Sequence, residues 1–335
     1  MSSSGHLFKK PTVRPVAQLV KHLALYTTDY GAAVCGDSLD LMQGMPNNSV
    51  NLVVTSPPYA LHFKKEYGNA EQNEYVKWLI PFAKEIRRIL TDDGSFVLNV
   101  GGAWTPGQPT RSIYTYKLLI ALVEEVGLNL AQEFFWYNPA KMPVPAEWVT
   151  VRRVRVKDSV EFVWWFSKTP HPKANNRNVL RPYSPDMIRL NLKGVTKTKR
   201  PGGHMINEGF ADTSHGGSIP PNVIEEGIPS DLLRFGNNSA NDPYTLRCKA
   251  AGIKIHPARF PAILPEFFIK FLTDVDDIVL DPFAGSNTTG MVAEALERRH
   301  LAFEQDASYL EASKFRFDSV SEHAVVRQRP IDVAI

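Results

Sequence analysis

The sequence predicts an α/β protein built on an open, Rossmann-like sheet, and three observations carry that prediction. Strand-length apolar runs alternate with helix-length amphipathic runs through most of the 335 residues. Two of the strand runs break off into unusual turns, Ser56-Pro57-Pro58-Tyr59 and Asp281-Pro282-Phe283-Ala284-Gly285-Ser286. The second turn opens a strand, helix and strand unit ending at Glu304, the spacing that lays a helix across two parallel strands. With 43% hydrophobic and 22% charged residues, the chain suits one large unit with a sizeable core and an insertion.

Taken in order, Ala32 to Gly36 is a short strand and Asp37 to Gly44 a short helix. Asn51 to Thr55 is a second, β-branched strand. It must end at the prolines: neither can donate to a sheet ladder, and Pro57 pushes Ser56 out of the helical region. The result is a stiff turn with a hydroxyl at its mouth and a phenol at its exit, at a strand's carboxyl end, where open α/β sheets build sites. An ordinary strand-ending turn is the plainer reading of the same residues. Glu74 to Leu90 carries apolar residues at helical spacing, and "DDGSFVLNV" turns into a strand ending at Val100. Ile113 to Val126 is helical, and "LNLAQEFFWYN" and "DSVEFVWWFSK" are aromatic strands separated by the proline-broken, basic segment Pro139 to Lys157. From Thr169 to Ile255 the periodicity fails, as in a functional insertion or a disordered stretch. Pro265 to Leu272 then reads as a helix with proline in its first turn.

The net charge of +3 announces nothing by itself, but its distribution is uneven. "VRRVRVK" and "KGVTKTKR" concentrate positive charge in the middle third, and Lys197, Lys199 and Arg200 are candidate phosphate contacts. Solvated faces have the same composition. No apolar run reaches membrane-spanning length, and "MSSSGHLFKK" lacks the apolar centre of a secretory signal, so a cytoplasmic protein without membrane contact is expected. The two cysteines, Cys35 and Cys248, are expected to be reduced thiols.

The last strand, helix and strand unit is shaped for a nucleoside. Ile278 to Leu280 delivers Asp281, the turn lets a ligand approach the backbone, and the helix opening near Asn287 aims free N–H groups at it. Glu304 ends the next strand, where one carboxylate can accept from two ribose hydroxyls. The turn is neither G-x-G-x-x-G nor a phosphate-cradling P-loop, which favours a nucleoside without phosphates. S-adenosyl-L-methionine (AdoMet) answers that description, with no metal.

The S-P-P-Y turn early, D-P-F-A-G-S late and F-E-Q-D after it resemble the amino-methylating DNA methyltransferases, in the permuted order that puts the catalytic half before the AdoMet half. "CGDSLDLM", "KEYGNAEQNEYVKWL", "RVKDSVEFVWWFSKT", "GGSIPPN" and "HPARFPAILPEFFI" extend the likeness from about Tyr26 to Phe317. The resemblance implies an N-terminal arm (1–25), a catalytic half (26–169), a target-recognition insertion (170–255), an AdoMet half (256–320) and a tail (321–335). It also implies double-stranded DNA as substrate, methylation of a flipped-out base, a nucleoid-associated setting of bacterial type, a restriction endonuclease as functional partner, and a monomer or homodimer. A palindrome such as CAGCTG, methylated at its inner cytosine, is the recognition sequence it suggests.

Residue roles follow from the same resemblance. Ser56 Oγ and the Pro57 carbonyl accept from the two hydrogens of an exocyclic amine, localising a lone pair otherwise delocalised into the ring, and Pro58 helps fix the turn. Tyr59 stacks on the extruded base. Asp281, Phe283, Gly285 and Ser286 surround the methionine part, with His256, Pro257, Phe260 and Pro261 lining it from the preceding segment. Glu304 holds the ribose and Asp37 faces the adenine amine, though Asp37 also reads as a helix N-cap and His256 as a core histidine. Trp136 and Asn138 are further candidates for the base pocket, or core. Cytosine C5 chemistry needs a cysteine, usually after proline; Cys35 follows Val34 and Cys248 follows Arg247. Serine before P-P-Y goes with cytosine N4, and adenine N6 stays open because some S-P-P enzymes methylate it. RNA or protein methylation is a nearer rival than a dehydrogenase or a non-catalytic DNA-binding protein.

Overall fold

The structure, a computed structural model, describes residues 16–60, 71–72, 74–139, 141–195, 197–199, 201–206, 211–225, 242–259 and 261–317. In chain order, β1 (Tyr26–Thr27), β2 (Gly31–Cys35), α1 (Ser38–Gln43), β3 (Val50–Thr55), α2 (Tyr75–Ile89), β4 (Leu90–Val100), α3 (Tyr114–Glu124), β5 (Asn129–Tyr137) and β6 (Val160–Ser167) come first. Next are α4 (Pro185–Lys193), the hairpin of β7 (Thr198–Lys199) and β8 (Met205–Ile206), β9 (Val223–Glu225) and α5 (Pro243–Ala250). Then α6 (Ile263–Leu272), β10 (Ile278–Asp281), α7 (Thr288–Ala295), β11 (Arg299–Glu304) and α8 (Ala307–Ser313) follow.

One sheet runs β1-β2-β11-β10-β3-β4-β6-β5-β9. Its middle, from β2 to β4, is parallel, and β6 lies antiparallel to both β4 and β5. The two strands that come late in the chain, β10 and β11, therefore sit between β2 and β3. This brings the end of β10 beside the end of β3, with Leu280 opposite Val53.

The pleat sorts side chains to two cores. Ile278 and Leu280 pack into one beneath α1, α2 and α3, while Val279 packs into the other with α6 and α7. In α2 the buried Tyr75, Leu79, Phe82, Ala83 and Ile86 recur at helical spacing, so a single face meets the sheet.

The segment from Thr169 to Ile255 holds more regular structure than its sequence suggests. α4 is nine residues long and buries none of them, and β7 and β8 are two residues each. β9 joins the main sheet beside β5, with Val223 opposite Phe135. α5 packs through Tyr244 and Cys248 on Ala312 of α8, so the end of the segment is built onto the last helices described. α6 starts two residues ahead of Pro265. Both cysteines are free thiols. Among the described residues no helix is long and apolar enough to cross a membrane, and no cluster of His, Cys, Asp and Glu is arranged to hold a metal.

Candidate active site

The carboxyl ends of β2, β11, β10 and β3 open onto a cleft of about 740 Å³. On its first side, Glu304 Oε2 accepts from the Gly285 N–H at 2.9 Å and Oε1 from the Asp306 N–H at 2.9 Å. Those bonds fix the carboxylate's aim, while burial holds its pKa above the ordinary value. Gly285 sits at φ +51°, and a Cβ there would lie 3.0 Å from His256 Nε2, so the backbone passes close under the imidazole. His256 stands edge-on to Tyr309 at 4.5 Å, and burial depresses its pKa to about 4, which keeps it neutral at pH 7. Asp37 Oδ1 caps α1 through the Leu39 N–H at 2.8 Å, and the residue also lines the cleft. Asn287 caps α7 from a left-handed φ of 53° by accepting from the Gly290 N–H. Buried Ser286 is held by Arg316, whose Nε donates to its carbonyl at 2.6 Å and Nη2 to its Oγ at 2.9 Å.

Asp281 lies below this surface. It is 1% exposed, with Oδ1 accepting from Thr55 Oγ1 at 2.6 Å and from the Phe283 N–H at 3.1 Å, and Oδ2 from Thr289 Oγ1 at 2.7 Å. It therefore holds the floor on which Phe283 stands. Phe283 meets Trp78 and Phe82 of α2 at 5.6 and 5.2 Å, making an aromatic wall.

On the second side, Ser56, Pro57, Pro58 and Tyr59 line the cleft opposite the D-P-F-A-G-S turn. Ser56 Oγ lies 3.2 Å from Asn99 Oδ1 and 3.3 Å from Tyr59 Oη. The Tyr59 hydroxyl reaches Asn99 Oδ1 at 2.9 Å and Glu161 Oε2 at 2.6 Å, and Lys141 Nζ pairs with Glu161 Oε1 at 2.7 Å. Burial and the Glu161 charge push the phenol pKa well above its usual value, so Tyr59 stays a neutral donor. Its ring lies against Gly101, where a Cβ would clash at 2.5 Å. Trp136 and Asn138 complete this end of the cleft.

The residues named from the sequence are thus largely assembled, with exceptions. Asp281 and Pro261 are not part of the cleft lining, and Lys197 and Lys199 lie exposed on the β7 segment, away from that lining. Phe260 and Arg200 lie outside the described residues. Sequence alone missed Asn99 and Glu161, although each is a polar residue flanked by apolar ones in its strand, which is a usable signal. It also missed Trp78 and Phe82, one helical turn apart on α2, and Arg259, which lines the cleft and pairs with Asp242 at 2.9 Å.

The strand order and this two-sided cleft define a Rossmann-like methyltransferase. The chain belongs to the DNA methylase family, whose model matches residues 50–315. It is 50% identical over 305 residues to the type II methyltransferase M.PvuII of Proteus hauseri, covering 90% of this chain and 88% of that one. It is 28% identical over 283 residues to M.BglII of Bacillus subtilis, covering 82% and 66%. The solved structure of PvuII DNA methyltransferase (cytosine-N4-specific) matches with a TM-score of 0.71 and 42% identity, covering 92% of this chain and 97% of that one. TTHA0409 of Thermus thermophilus, solved with S-adenosyl-L-methionine, shares the fold at a TM-score of 0.50 and 20% identity, covering 85% and 94%.

Proposed function

We propose that the protein transfers a methyl group from AdoMet to the exocyclic N4 of a cytosine flipped out of double-stranded DNA, as the modification component of a restriction-modification system. The observation that carries this reading is 50% identity across 90% of the chain to M.PvuII, joined to a 0.71 TM-score match with the cytosine-N4-specific PvuII structure. The same likeness favours N4 over adenine N6 and supports a CAGCTG-like target. Bacterial relatives support a cytoplasmic, nucleoid-associated setting.

The residues present fit the cofactor. Gly285 supplies a cradle that a Cβ would fill, Glu304 presents a fixed carboxylate, and the Phe283, Trp78 and Phe82 wall offers an apolar aromatic surface. In this reading Glu304 holds the ribose hydroxyls, Asp37 the adenine amine, and Phe283, Gly285, Ser286, His256 and Pro257 the methionine part. When bound, AdoMet supplies the electrophilic methyl group. Asn99 Oδ1 and Tyr59 Oη are both within reach of the Ser56 proton, so the Oγ lone pairs are left for the amine, and the prolines hold the Pro57 carbonyl in one direction. His256 is neutral but is assigned no role as a base. The exposed Lys197 and Lys199 are assigned to phosphate contact, together with Arg200.

The test is chromatography of nucleosides digested from DNA that the purified protein has methylated. The product is expected to co-elute with N4-methyldeoxycytidine; the 5-methyl isomer has the same mass, so elution decides. N6-methyldeoxyadenosine would overturn the base assignment, and methyl transfer to RNA or protein alone would overturn the DNA assignment. Sequencing that distinguishes modified bases, run on DNA from expressing cells, would give the recognition sequence.

A further inference from the structure

We infer that Glu161 ends a proton path that leaves the target amine through Ser56 and Tyr59. This rests on the proposed reading of the cleft as the site of amine methylation. An exocyclic amine that takes a methyl group must shed one of its two hydrogens, and a relay that takes the proton as the N–C bond forms spares the transition state a full positive charge. The flipped base fills the mouth of the cleft, and Ser56 Oγ is the acceptor assigned to it. A serine hydroxyl cannot keep that proton, because its own would remain on the same oxygen.

The geometry supplies the rest of the chain. Ser56 Oγ lies 3.3 Å from Tyr59 Oη, and Tyr59 Oη lies 2.6 Å from Glu161 Oε2. Of the two acceptors near the phenol, the carboxylate is the nearer; Asn99 Oδ1 is at 2.9 Å. The step balances as three linked transfers. The N4–H bond breaks as an O–H forms at Ser56; the serine's original proton moves to Tyr59 Oη; and the phenol's original proton moves to Glu161 Oε2, giving a carboxylic acid. Ser56 and Tyr59 end neutral, as they began. Lys141 pairs with Oε1 at 2.7 Å, which balances the carboxylate's charge and leaves Oε2 to the phenol.

A second cavity, of about 300 Å³, adjoins the main cleft. Its polar lining includes Arg111, Lys157, Asp158 and Ser159, and among the described residues Glu161 alone lines both it and the main cleft. Glu161 is 8% exposed, between Val160 and Phe162 of β6 and opposite Trp136 of β5. A carboxylate at that position has no packing purpose and carries a desolvation cost.

The experiment measures single-turnover methylation with AdoMet and duplex prebound. Glu161→Gln keeps an oxygen for the Tyr59 hydroxyl but takes up no proton, and is expected to slow methylation by about 100-fold, as for loss of a general base. Its affinities for AdoMet and for DNA should stay within about twofold of wild type, which separates the effect from misfolding. Glu161→Ala should be slow as well, and its rate should rise with added formate, a small carboxylate able to enter the vacated space; wild type and Ser56→Ala should not respond. Wild-type turnover in Glu161→Gln, or a slow Glu161→Ala that formate leaves unchanged, would overturn the proton path. Wild-type reactions analysed alongside must yield N4-methyldeoxycytidine; if they do not, the reading of the site has failed, whatever the variants show.

Discussion

Thr55 at the end of β3 donates a 2.6 Å hydrogen bond to Asp281 at the end of β10, across the line where two distant parts of the chain meet. The turn that carries Ser56 and the turn that carries Phe283 are thereby fastened to one buried carboxylate. A contact under the floor of the cleft sets the spacing between its two sides.

That carboxylate makes stability depend on pH in a defined direction. Burial raises the Asp281 pKa from 3.8 to about 6, against the opposing pull of Thr55, Thr289 and the Phe283 N–H. For an acid with a raised folded pKa, the stabilisation is complete below the unfolded value and is lost as pH rises through the folded one. The difference, roughly two pH units, corresponds to about 3 kcal/mol lost between about pH 4 and pH 6. In Asp281→Asn the fall over that window should be shallower than in wild type, as read from urea midpoints. Identical slopes would mean that Asp281 titrates normally. The same variant should lower both AdoMet affinity and turnover, because both turns hang from this residue.

Ser56→Ala should separate those two effects. The serine acts on the amine and scarcely on the cofactor, so turnover should fall about 100-fold, as when one oxyanion-type partner is lost, with AdoMet affinity near normal. Wild-type turnover would remove Ser56 from the chemistry.

Glu304→Ala and Gly285→Ala should act on binding first. The glutamate fixes the turn through the Gly285 N–H, and the alanine would combine a φ of +51° with a Cβ 3.0 Å from His256 Nε2. Calorimetry should show AdoMet affinity reduced by about tenfold or more in each, equal to about 1.4 kcal/mol. Unchanged affinity in both would mean that the cofactor lies elsewhere.

What the sequence made legible follows from how each residue advertises itself. The strand ends could be read because prolines and glycines cannot continue a ladder or a helix, and Glu304 because an acid closing a βαβ unit has few other purposes. Asn99 and Glu161 stayed hidden because "SFVLNV" and "VEFVWWFS" read as core strands, and only the sheet register brings them together across β4 and β6, with Asn99 opposite Val163. Asp281 was read as a cleft residue because the turn it opens is one; its burial depends on Thr55, which is 226 positions away in the chain. α4 and the β7–β8 hairpin were hard to read because a nine-residue helix and two-residue strands are too short for a period to stand out.

The basic run should report itself through salt. Replacing Lys197, Lys199 and Arg200 together by alanine should weaken DNA binding and flatten its salt dependence by about one slope unit for each phosphate left unneutralised, since every neutralised phosphate releases condensed counterions. AdoMet affinity should survive, because Lys197 and Lys199 lie exposed away from the cleft. A salt slope equal to wild type would make the run a solvated face.

Base flipping gives the sharpest test of the whole site. Ser56, Tyr59, Asn99 and Glu161 form one connected group at strand ends that line a cleft, where a base still stacked in a duplex cannot bring its amine. The protein must therefore supply the free energy of breaking one pair, on the order of a few kcal/mol. A duplex whose target cytosine is mispaired has already lost that pairing, so it should bind more tightly than the matched duplex. The gain should be confined to the target position, because a mispair elsewhere in the site removes base contacts without easing extrusion. Fluorescence anisotropy at one fixed salt concentration, comparing both mispairs with the matched site, reads the difference directly. Equal affinity for the matched and target-mispaired duplexes would mean that the base is not taken out of the helix, and the acceptors at Ser56 and Pro57 would then have no amine within reach.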